Sequence, residues 1–385
     1  MRCCIYKNNK GFSLIEQLIV LVLFSVVIMI TSNIFDALLP KAKSLAKSEI
    51  SSTQGVIGLE MLRSDLEKAG FGLFTGVDTS PPTYSEAVAT PALNYNDAPN
   101  GIPRAITAGN DLTSGVLSGT DYLVIKATNV AVNPASQCWT VVNGSSSSKV
   151  WGANDLKESR NDRVVVLTQG YDSNNNAVRK LIYSGSNTTV AYKVNAKYLA
   201  PFSTYSGSMQ YYYYGLDSTS TTCAPFNRAD YMVKRISGDV PDKCSPAAGV
   251  GVLYKSILNQ SDGSMQDLAL LDCVADMQVV FGWDTGSGAV DTYTNADGSS
   301  PGGLSTAVQS LTDAETIRTS LKLIKVYILA QDGGYDKNYT NTNTAMYVGE
   351  FGETGITKSV NLTLSDYRNY RWKLYRLVVR PKNLL

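Results

Sequence analysis

The longest hydrophobic run of the chain lies near its N-terminus. Between Leu18 and Ile30 the sole polar residue is Ser25. A helix from Phe12 to about Ile34 would be about 34 Å long, which is enough to cross the hydrocarbon core of a bilayer. The pattern therefore predicts a transmembrane helix over residues 12–34.

The residues in front of this run predict its orientation. The segment MRCCIYKNNK has three basic residues and no acidic one, so the positive-inside rule places the N-terminus in the cytoplasm. A cleavable secretory signal is one alternative, but it needs small residues soon after the apolar core, and Asn33-Ile34-Phe35-Asp36 follows instead. A plain signal anchor is the second alternative. It leaves Glu16 unexplained, because a carboxylate inside a membrane segment is costly and usually marks a function.

An amphipathic pattern predicts that the helix continues through residues 35–70. Apolar residues recur there at three- and four-residue spacings, among them Leu45, Ile57, Leu59, Met61, Leu62 and Leu66. Pro40 should kink the helix or mark its exit from the bilayer, and Lys68-Ala69-Gly70 is the predicted stop. We expect the apolar face to pack on the domain that follows; a coiled coil with a partner helix is the alternative.

From Phe71 onward the pattern changes to short β-like runs between turn clusters. The clearest predicted strands are residues 122–125, 163–167, 277–281, 323–329 and 374–379. The predicted loops are residues 145–148, 172–176, 218–222 and 284–303. We therefore predict an α+β fold with a β-rich head over residues 71–385, which could include an inserted subdomain near 130–260. The tyrosines at 211–214 should alternate between the two faces of a strand, two inward and two outward.

Composition narrows the chemistry. The chain has no histidine, which excludes His-dependent catalysis. Its formal net charge is +1 without blocks of like charge, which argues against nucleic-acid binding. Asp172-Ser173-Asn174-Asn175-Asn176 resembles the opening of a calcium loop, but Ala177 and Tyr183 stand where Gly and Glu are needed. Asp332-Gly333-Gly334-Tyr335-Asp336 resembles a calcium-binding loop no more closely. No complete catalytic signature is present, so we expect no enzyme activity, no cofactor and no metal.

The residues around position 11 carry a specific motif. Lys10-Gly11 followed by Phe12-Ser13-Leu14-Ile15-Glu16 resembles the processing site of type IV prepilins. By that resemblance residues 1–11 are a leader, and a prepilin peptidase cuts after Gly11 and N-methylates Phe12. Glu16 becomes the fifth residue of the mature chain. In a filament of packed helices it could neutralise the buried ammonium of an adjacent subunit, since either charge alone would be strongly unfavourable.

Later segments resemble the PilW family of minor pilins. They are residues 63–72, 118–125, 211–214, 253–255, 274–284, 325–330 and 375–380. The resemblance implies a type IV pilin-like fold, in which a long N-terminal hydrophobic spine helix precedes a large β-rich globular head. The Ser/Thr/Asn-rich insertions of this chain depart from the family.

The resemblance also implies a role and a location. A minor pilin would join the tip or priming complex on which the major pilin polymerises, and would support adhesion and twitching motility. Its partners would be the prepilin peptidase, other minor pilins, the major pilin and a PilY-type tip adhesin. It would sit in the inner membrane with the head in the periplasm, and later at the pilus tip. A J-type pseudopilin of type II secretion is the close alternative; a membrane-anchored periplasmic enzyme is a further one.

The six cysteines form two groups. Cys3 and Cys4 belong to the predicted leader, whereas Cys138, Cys223, Cys244 and Cys273 would face the oxidising periplasm. Four cysteines allow three pairings, and sequence cannot choose between them. We favour Cys223–Cys244 with Cys138–Cys273. A zinc site is the alternative, which the absence of any CxxC pair disfavours.

Overall fold

The computed structural model of the chain describes residues 13–76, 81–143, 147–148, 155–171, 175–183, 190–194, 210–218, 222–236, 238, 240–246, 249–298, 311–349, 358–361 and 365–384. The chain divides into two compact units, residues 1–50 and residues 51–385. The domain boundaries given above stay predictions.

Helix α1 (Leu14–Lys68) is 55 residues long. Its portion Leu14–Ser32 has a mean hydropathy of 2.6 and is long and apolar enough to cross a membrane. The hydroxyl of Ser25 donates to the Val22 carbonyl at 2.7 Å, so it adds no unsatisfied polar group to the apolar portion. The helix runs through Pro40 without a break.

The predicted stop of α1 is confirmed. Gly70 follows the helix with φ +82°, a left-handed conformation in which glycine avoids the steric cost of a side chain. Its N–H donates to the Lys126 carbonyl at 3.0 Å. The end of α1 is therefore joined directly to a strand of the head.

Sixteen strands and two short helices are assigned within the described residues after α1. In chain order they are β1 (Ile106–Leu112), β2 (Thr120–Ala127), β3 (Trp139–Asn143), β4 (Ser147–Ser148), β5 (Arg163–Tyr171), β6 (Ala177–Ile182), β7 (Tyr192–Lys193), β8 (Gln210–Asp217), β9 (Asn227–Lys234), β10 (Gly251–Leu258), β11 (Met265–Trp283), β12 (Thr292–Thr294), α2 (Ala314–Ser320), β13 (Leu321–Asp332), β14 (Ala345–Val348), β15 (Lys358–Asn361), α3 (Ser365–Arg368) and β16 (Arg371–Val379).

The larger sheet is antiparallel and has the strand order β1-β2-β9-β10-β11-β13-β16, with β12 beside β11. The predicted strands at 122–125, 277–281, 323–329 and 374–379 lie in it and are confirmed. Every residue of β2 is buried, as expected of a strand covered on both faces. The helix residues Leu59, Leu62 and Leu66 belong to the same hydrophobic core.

The smaller sheet has the order β4-β3-β8-β5-β6, with β7 beside β5, and β14 pairs with β15 separately. The smaller sheet contains the predicted strand at 163–167, which is part of β5. Tyr211 and Tyr213 of β8 pack in one cluster, whereas Tyr212 and Tyr214 pack against the main core. The alternation is confirmed, but the prediction of two outward-facing rings is wrong, because both faces of β8 are covered.

Two predicted loops contain short strands. Within 145–148, β4 pairs with β3, and within 284–303, β12 pairs with β11 through Phe281 and Trp283. These strands are two and three residues long, too short to produce a readable alternation in the sequence.

A buried network of charges fastens the segment before β1 to the larger sheet. The Lys126 ammonium lies 2.8 Å from the Glu86 carboxylate and 2.6 Å from that of Asp97. The Arg228 guanidinium contacts Glu86 at 3.2 Å and Asp230 at 2.7 Å. Each buried charge faces an opposite one, which is the condition under which burial of ions is tolerated.

Asp121 of β2 bridges to β11. Its carboxylate accepts the N–H of Asp111 at 2.9 Å and that of Val279 at 2.7 Å. Burial raises the pKa of Asp121 to about 8, against the opposing effect of these two hydrogen bonds. The side chain thus accepts a backbone N–H of β11 and links β2 to that strand.

Candidate functional site

The N-terminus of α1 is capped by its own first turn. The backbone N–H of Ser13 donates to Glu16 Oε2 at 2.9 Å, and the N–H of Ile15 donates to Ser13 Oγ at 3.3 Å. These contacts satisfy donors that a helix start leaves unpaired, and a carboxylate there complements the helix dipole. Gly11 and Phe12 lie outside the described residues, so their processing roles stay predictions.

The Glu16 carboxylate therefore contacts the backbone of Ser13, the residue that follows the predicted mature N-terminus in the sequence. The carboxylate predicted to pair with a neighbouring subunit thus also makes a local cap, which the sequence analysis did not predict. The Ser at 13 with Glu at 16 is the spacing of a capping box, a signal that was readable in the sequence.

The apolar side chains of the first part of α1 have no cover from the described chain. None of the Leu14–Ser32 window is buried, and Leu14 is 82% and Phe24 65% exposed. An apolar surface of this length needs lipid or other apolar helices around it.

The second part of α1 joins the larger sheet through a buried charged group. The Asp65 carboxylate accepts from Lys255 Nζ at 2.5 Å and from the Tyr231 hydroxyl at 2.7 Å. Lys255 and Tyr231 stand opposite each other on β10 and β9, and all three side chains are buried. We call these three residues the helix–sheet junction.

Burial sets the protonation of the helix–sheet junction. It raises the pKa of the Asp65 carboxyl, and the Lys255 ammonium opposes that rise. Burial and the adjacent Asp65 raise the pKa of the Tyr231 phenol well above its usual value. Tyr231 therefore stays protonated and serves as a hydrogen-bond donor.

Gly58 brings α1 into backbone contact with β11, because a Cβ added there would lie 2.6 Å from the Leu270 carbonyl oxygen. A Cβ at Gly55 would lie 2.7 Å from Leu271 Cδ1, the end of a flexible side chain. A larger residue at Gly58 would therefore push the helix off the strand, whereas one at Gly55 would displace the Leu271 side chain. The predicted packing of the apolar face is confirmed for Leu59, Leu62 and Leu66, but Ile57, which belonged to the predicted face, is 63% exposed.

The chain returns to α1 after its last strand. The N–H of Lys382 donates to the Glu67 carbonyl at 3.0 Å, its ammonium pairs with the Glu67 carboxylate, and Asn383 Nδ2 donates to the same carbonyl at 3.4 Å. The end of the helix is thus held both by the middle of the larger sheet and by the segment after β16.

The predicted disulfide pairing is wrong. Cys244 bonds to Cys273, with the two Cα atoms 5.1 Å apart, whereas Cys138 and Cys223 form no disulfide. The Cys138 thiol donates to the Pro134 carbonyl at 3.3 Å. The physical reason is strand register: the turn ending at Cys244 lies beside Cys273 in the middle of β11, a proximity that spacing along the chain does not reveal.

The described residues contain no group of three or more Cys, Asp or Glu side chains placed to hold a metal ion. Of the weak calcium candidates, Asp336 pairs with Arg371 at 3.0 Å. Residues 172–174 of the other candidate lie outside the described part of the chain.

Two family models match the chain. Residues 6–32 match the prokaryotic N-terminal methylation motif, and residues 231–383 match the type IV pilus-assembly protein W, PilW.

The resemblance to the PilW family is confirmed.

The PilW match extends from within β9 to the segment after β16. It includes Tyr231 and Lys255 of the helix–sheet junction, both disulfide cysteines and Lys382, but not Asp65. Of the segments that resembled the family, those at 253–255, 274–284, 325–330 and 375–380 lie inside the matched range. Those at 63–72, 118–125 and 211–214 lie in neither matched range. No curated protein and no solved structure was found that matches the chain.

Proposed function

We propose that the chain is a minor pilin that helps to form the tip or priming complex of a type IV pilus. The observation that carries the proposal is the coincidence of two parts in one chain. An N-terminal methylation motif with a capping Glu16 opens a fully exposed apolar helix. The same helix continues into a β-rich head whose last strands match PilW.

The N-terminal part supports processing and membrane insertion. A prepilin peptidase would cut after Gly11 and methylate Phe12. The basic residues before the apolar run keep the N-terminus in the cytoplasm and send the head into the periplasm. The disulfide Cys244–Cys273 fits that oxidising compartment.

Glu16 supports assembly rather than simple anchoring. Its carboxylate lies at the start of α1, within reach of an N-terminal ammonium brought in by a neighbouring helix. In apolar surroundings such an ammonium requires an opposite charge. A membrane anchor that never packs against other pilins would use this carboxylate only as a helix cap, which an uncharged acceptor could also provide.

The size of the head supports a position at the tip. Residues 51–385 form one compact unit, far larger than the subunits that repeat along a filament. A bulky head is accommodated where neighbours are few. The partners would be other minor pilins, the major pilin and a PilY-type adhesin, and the role would be structural rather than enzymatic.

The direct test is deletion of the gene in its host, complementation, and immunogold labelling of sheared filaments. The proposal predicts fewer surface pili in the deletion strain, restored numbers after complementation, and label confined to filament ends. Secreted proteins are measured in the same strains. Normal pili with a loss of protein secretion would instead identify a J-type pseudopilin, and no change in either would refute both.

A further inference from the structure

A cavity of about 840 Å³ opens beside the smaller sheet. Its walls come from β6, from the segment that follows α1, from the start of α2 and from the residues after β16. This volume lies in the range of about 300–1,000 Å³ that small-molecule sites occupy. The function proposed above gives it no role.

Arg179 of β6 stands in the wall of this cavity with a fixed backbone. The Arg179 N–H donates to Thr75 Oγ1 at 2.9 Å, and the Thr75 N–H donates to the Arg179 carbonyl at 2.9 Å. The side chain is half-buried. Its guanidinium, which carries five N–H donors, has no hydrogen-bond acceptor among the described residues.

The carboxylates that line the cavity are engaged elsewhere. Asp97 pairs with Arg104 and Lys126, and the Asp313 carboxylate accepts from the Thr316 N–H at 2.8 Å.

Glu315 pairs with Arg318, the other arginine of the lining. Arg179 is therefore a partly desolvated cation facing the cavity, and no lining carboxylate neutralises it. Burial and the positive charge of Arg318 lower its pKa, the effect expected of a cation without a counter-ion.

Lys180 is a further cation of the lining, and the remaining walls combine polar residues, among them Thr75 and Asn383, with apolar ones. Leu73 and Phe74 belong to the hydrophobic core and Val178 is buried, and all three line the cavity. Tyr171, which is 66% exposed, adds a flat aromatic ring to the lining. The Arg179 fork beside Val178 and the Tyr171 ring is an arrangement that suits an anion attached to an apolar or ring-shaped body.

We infer that this cavity binds a small organic anion whose carboxylate or phosphate pairs with Arg179 and whose body lies against Val178 and the Tyr171 ring. The inference does not depend on the pilus role, since it rests on the cavity alone.

Isothermal titration calorimetry on the full chain in detergent micelles tests it with three probes: benzoate, glucuronate and inorganic phosphate. We expect at least one probe to bind the wild type, and Arg179→Gln to weaken that binding about tenfold or more, as loss of a charge-assisted hydrogen bond requires. Binding of phosphate alone would point to a phosphate ligand, and binding of benzoate or glucuronate to a carboxylate with an apolar or a sugar body.

Arg380→Gln is the matched control, because Arg380 is exposed and outside the cavity; it should bind like the wild type. Arg179→Lys keeps the charge without the planar fork and should bind with intermediate affinity. Both Arg179 variants should keep the wild-type thermal midpoint, since no hydrogen bond of the guanidinium to described residues is lost. Equal binding by the wild type and Arg179→Gln, or no binding of any probe, would overturn the inference.

Discussion

Lys255 donates to Asp65 at 2.5 Å inside the protein, where β10 meets the end of α1. The two residues are 190 positions apart in sequence, and both are buried. The end of α1 is therefore joined to the larger sheet by a charged contact as well as by apolar packing.

Asp65→Ala should destabilise the head by about 3–5 kcal/mol, because it leaves the Lys255 ammonium buried without a counter-charge. Urea unfolding followed by tryptophan fluorescence, to which the buried Trp283 contributes, measures the change. Glu60→Gln is the control on the same helix, since the Glu60–Arg63 pair is exposed and is worth less than about 1 kcal/mol.

The double variant Asp65→Leu with Lys255→Met separates charge from packing. It should recover most of the lost stability, because no unpaired charge is left in the core. If Asp65→Ala were no more damaging than Glu60→Gln, the helix–sheet junction would have no role in stability.

Cys244→Ser should lower stability by about 3–4 kcal/mol, the loop-closure effect of a bridge between residues 29 positions apart. Cys273→Ser should have the same effect, and Cys223→Ser, which breaks no bridge, should stay within about 1 kcal/mol of the wild type. Peptide mapping without reductant should recover Cys244 linked to Cys273. A peptide that links Cys223 to Cys244 would contradict the structure.

Asp121 should make stability fall as the pH rises. Its folded pKa is about 8, above the value of about 3.9 in an unfolded chain. The folded state therefore binds more protons than the unfolded state between these values, and the stabilisation present at acidic pH is lost as the pH approaches 8.

Urea midpoints measured from pH 5 to 9 test this dependence. Asp121→Asn, which cannot ionise, should flatten the decline relative to the wild type. Asp262→Asn is the control, because the exposed Asp262 has a lowered pKa and is ionised throughout that range. Parallel curves for all three proteins would exclude Asp121 as the origin.

Glu16→Ala should leave processing largely intact and reduce incorporation into pili, since it removes the charge proposed to neutralise a neighbouring N-terminus. Glu16→Gln distinguishes the two contacts of this side chain. It keeps an acceptor for the Ser13 N–H but not the charge, so it should fail as Glu16→Ala does. Immunoblots of sheared filaments and of membranes give the ratio of filament-incorporated to membrane-bound protein. Normal incorporation of both variants would contradict the charge-pairing account.

The sequence revealed those features that repeat along the chain. The strands at 122–125 and 323–329 stood out because β-branched and aromatic residues are concentrated there, and Leu59, Leu62 and Leu66 because their spacing follows a helix. The Cys244–Cys273 bridge could not be predicted in this way, because disulfide pairing depends on the register between distant segments. The sequence did not single out Arg179 either. An arginine between polar residues in a strand is normally solvated, and only the fold shows that its guanidinium has no acceptor among the described residues.

The glycines of α1 lower its helix propensity. Gly58 is the position at which the backbone of β11 approaches the helix, and Gly55 faces the Leu271 side chain. Local propensity describes the cost of a glycine, and only the tertiary contact explains its use.

The central claim is that the chain is a processed pilin, and mass spectrometry of its mature N-terminus tests it most directly. The measurement is made separately on sheared surface filaments and on membranes, with Gly11→Leu as the control that should block cleavage. The account predicts N-methylated Phe12 in both fractions, scarce in the filaments, and an intact leader in the control. An intact Met1 in the wild-type chain, found only in membranes, would contradict it and leave a plain membrane anchor.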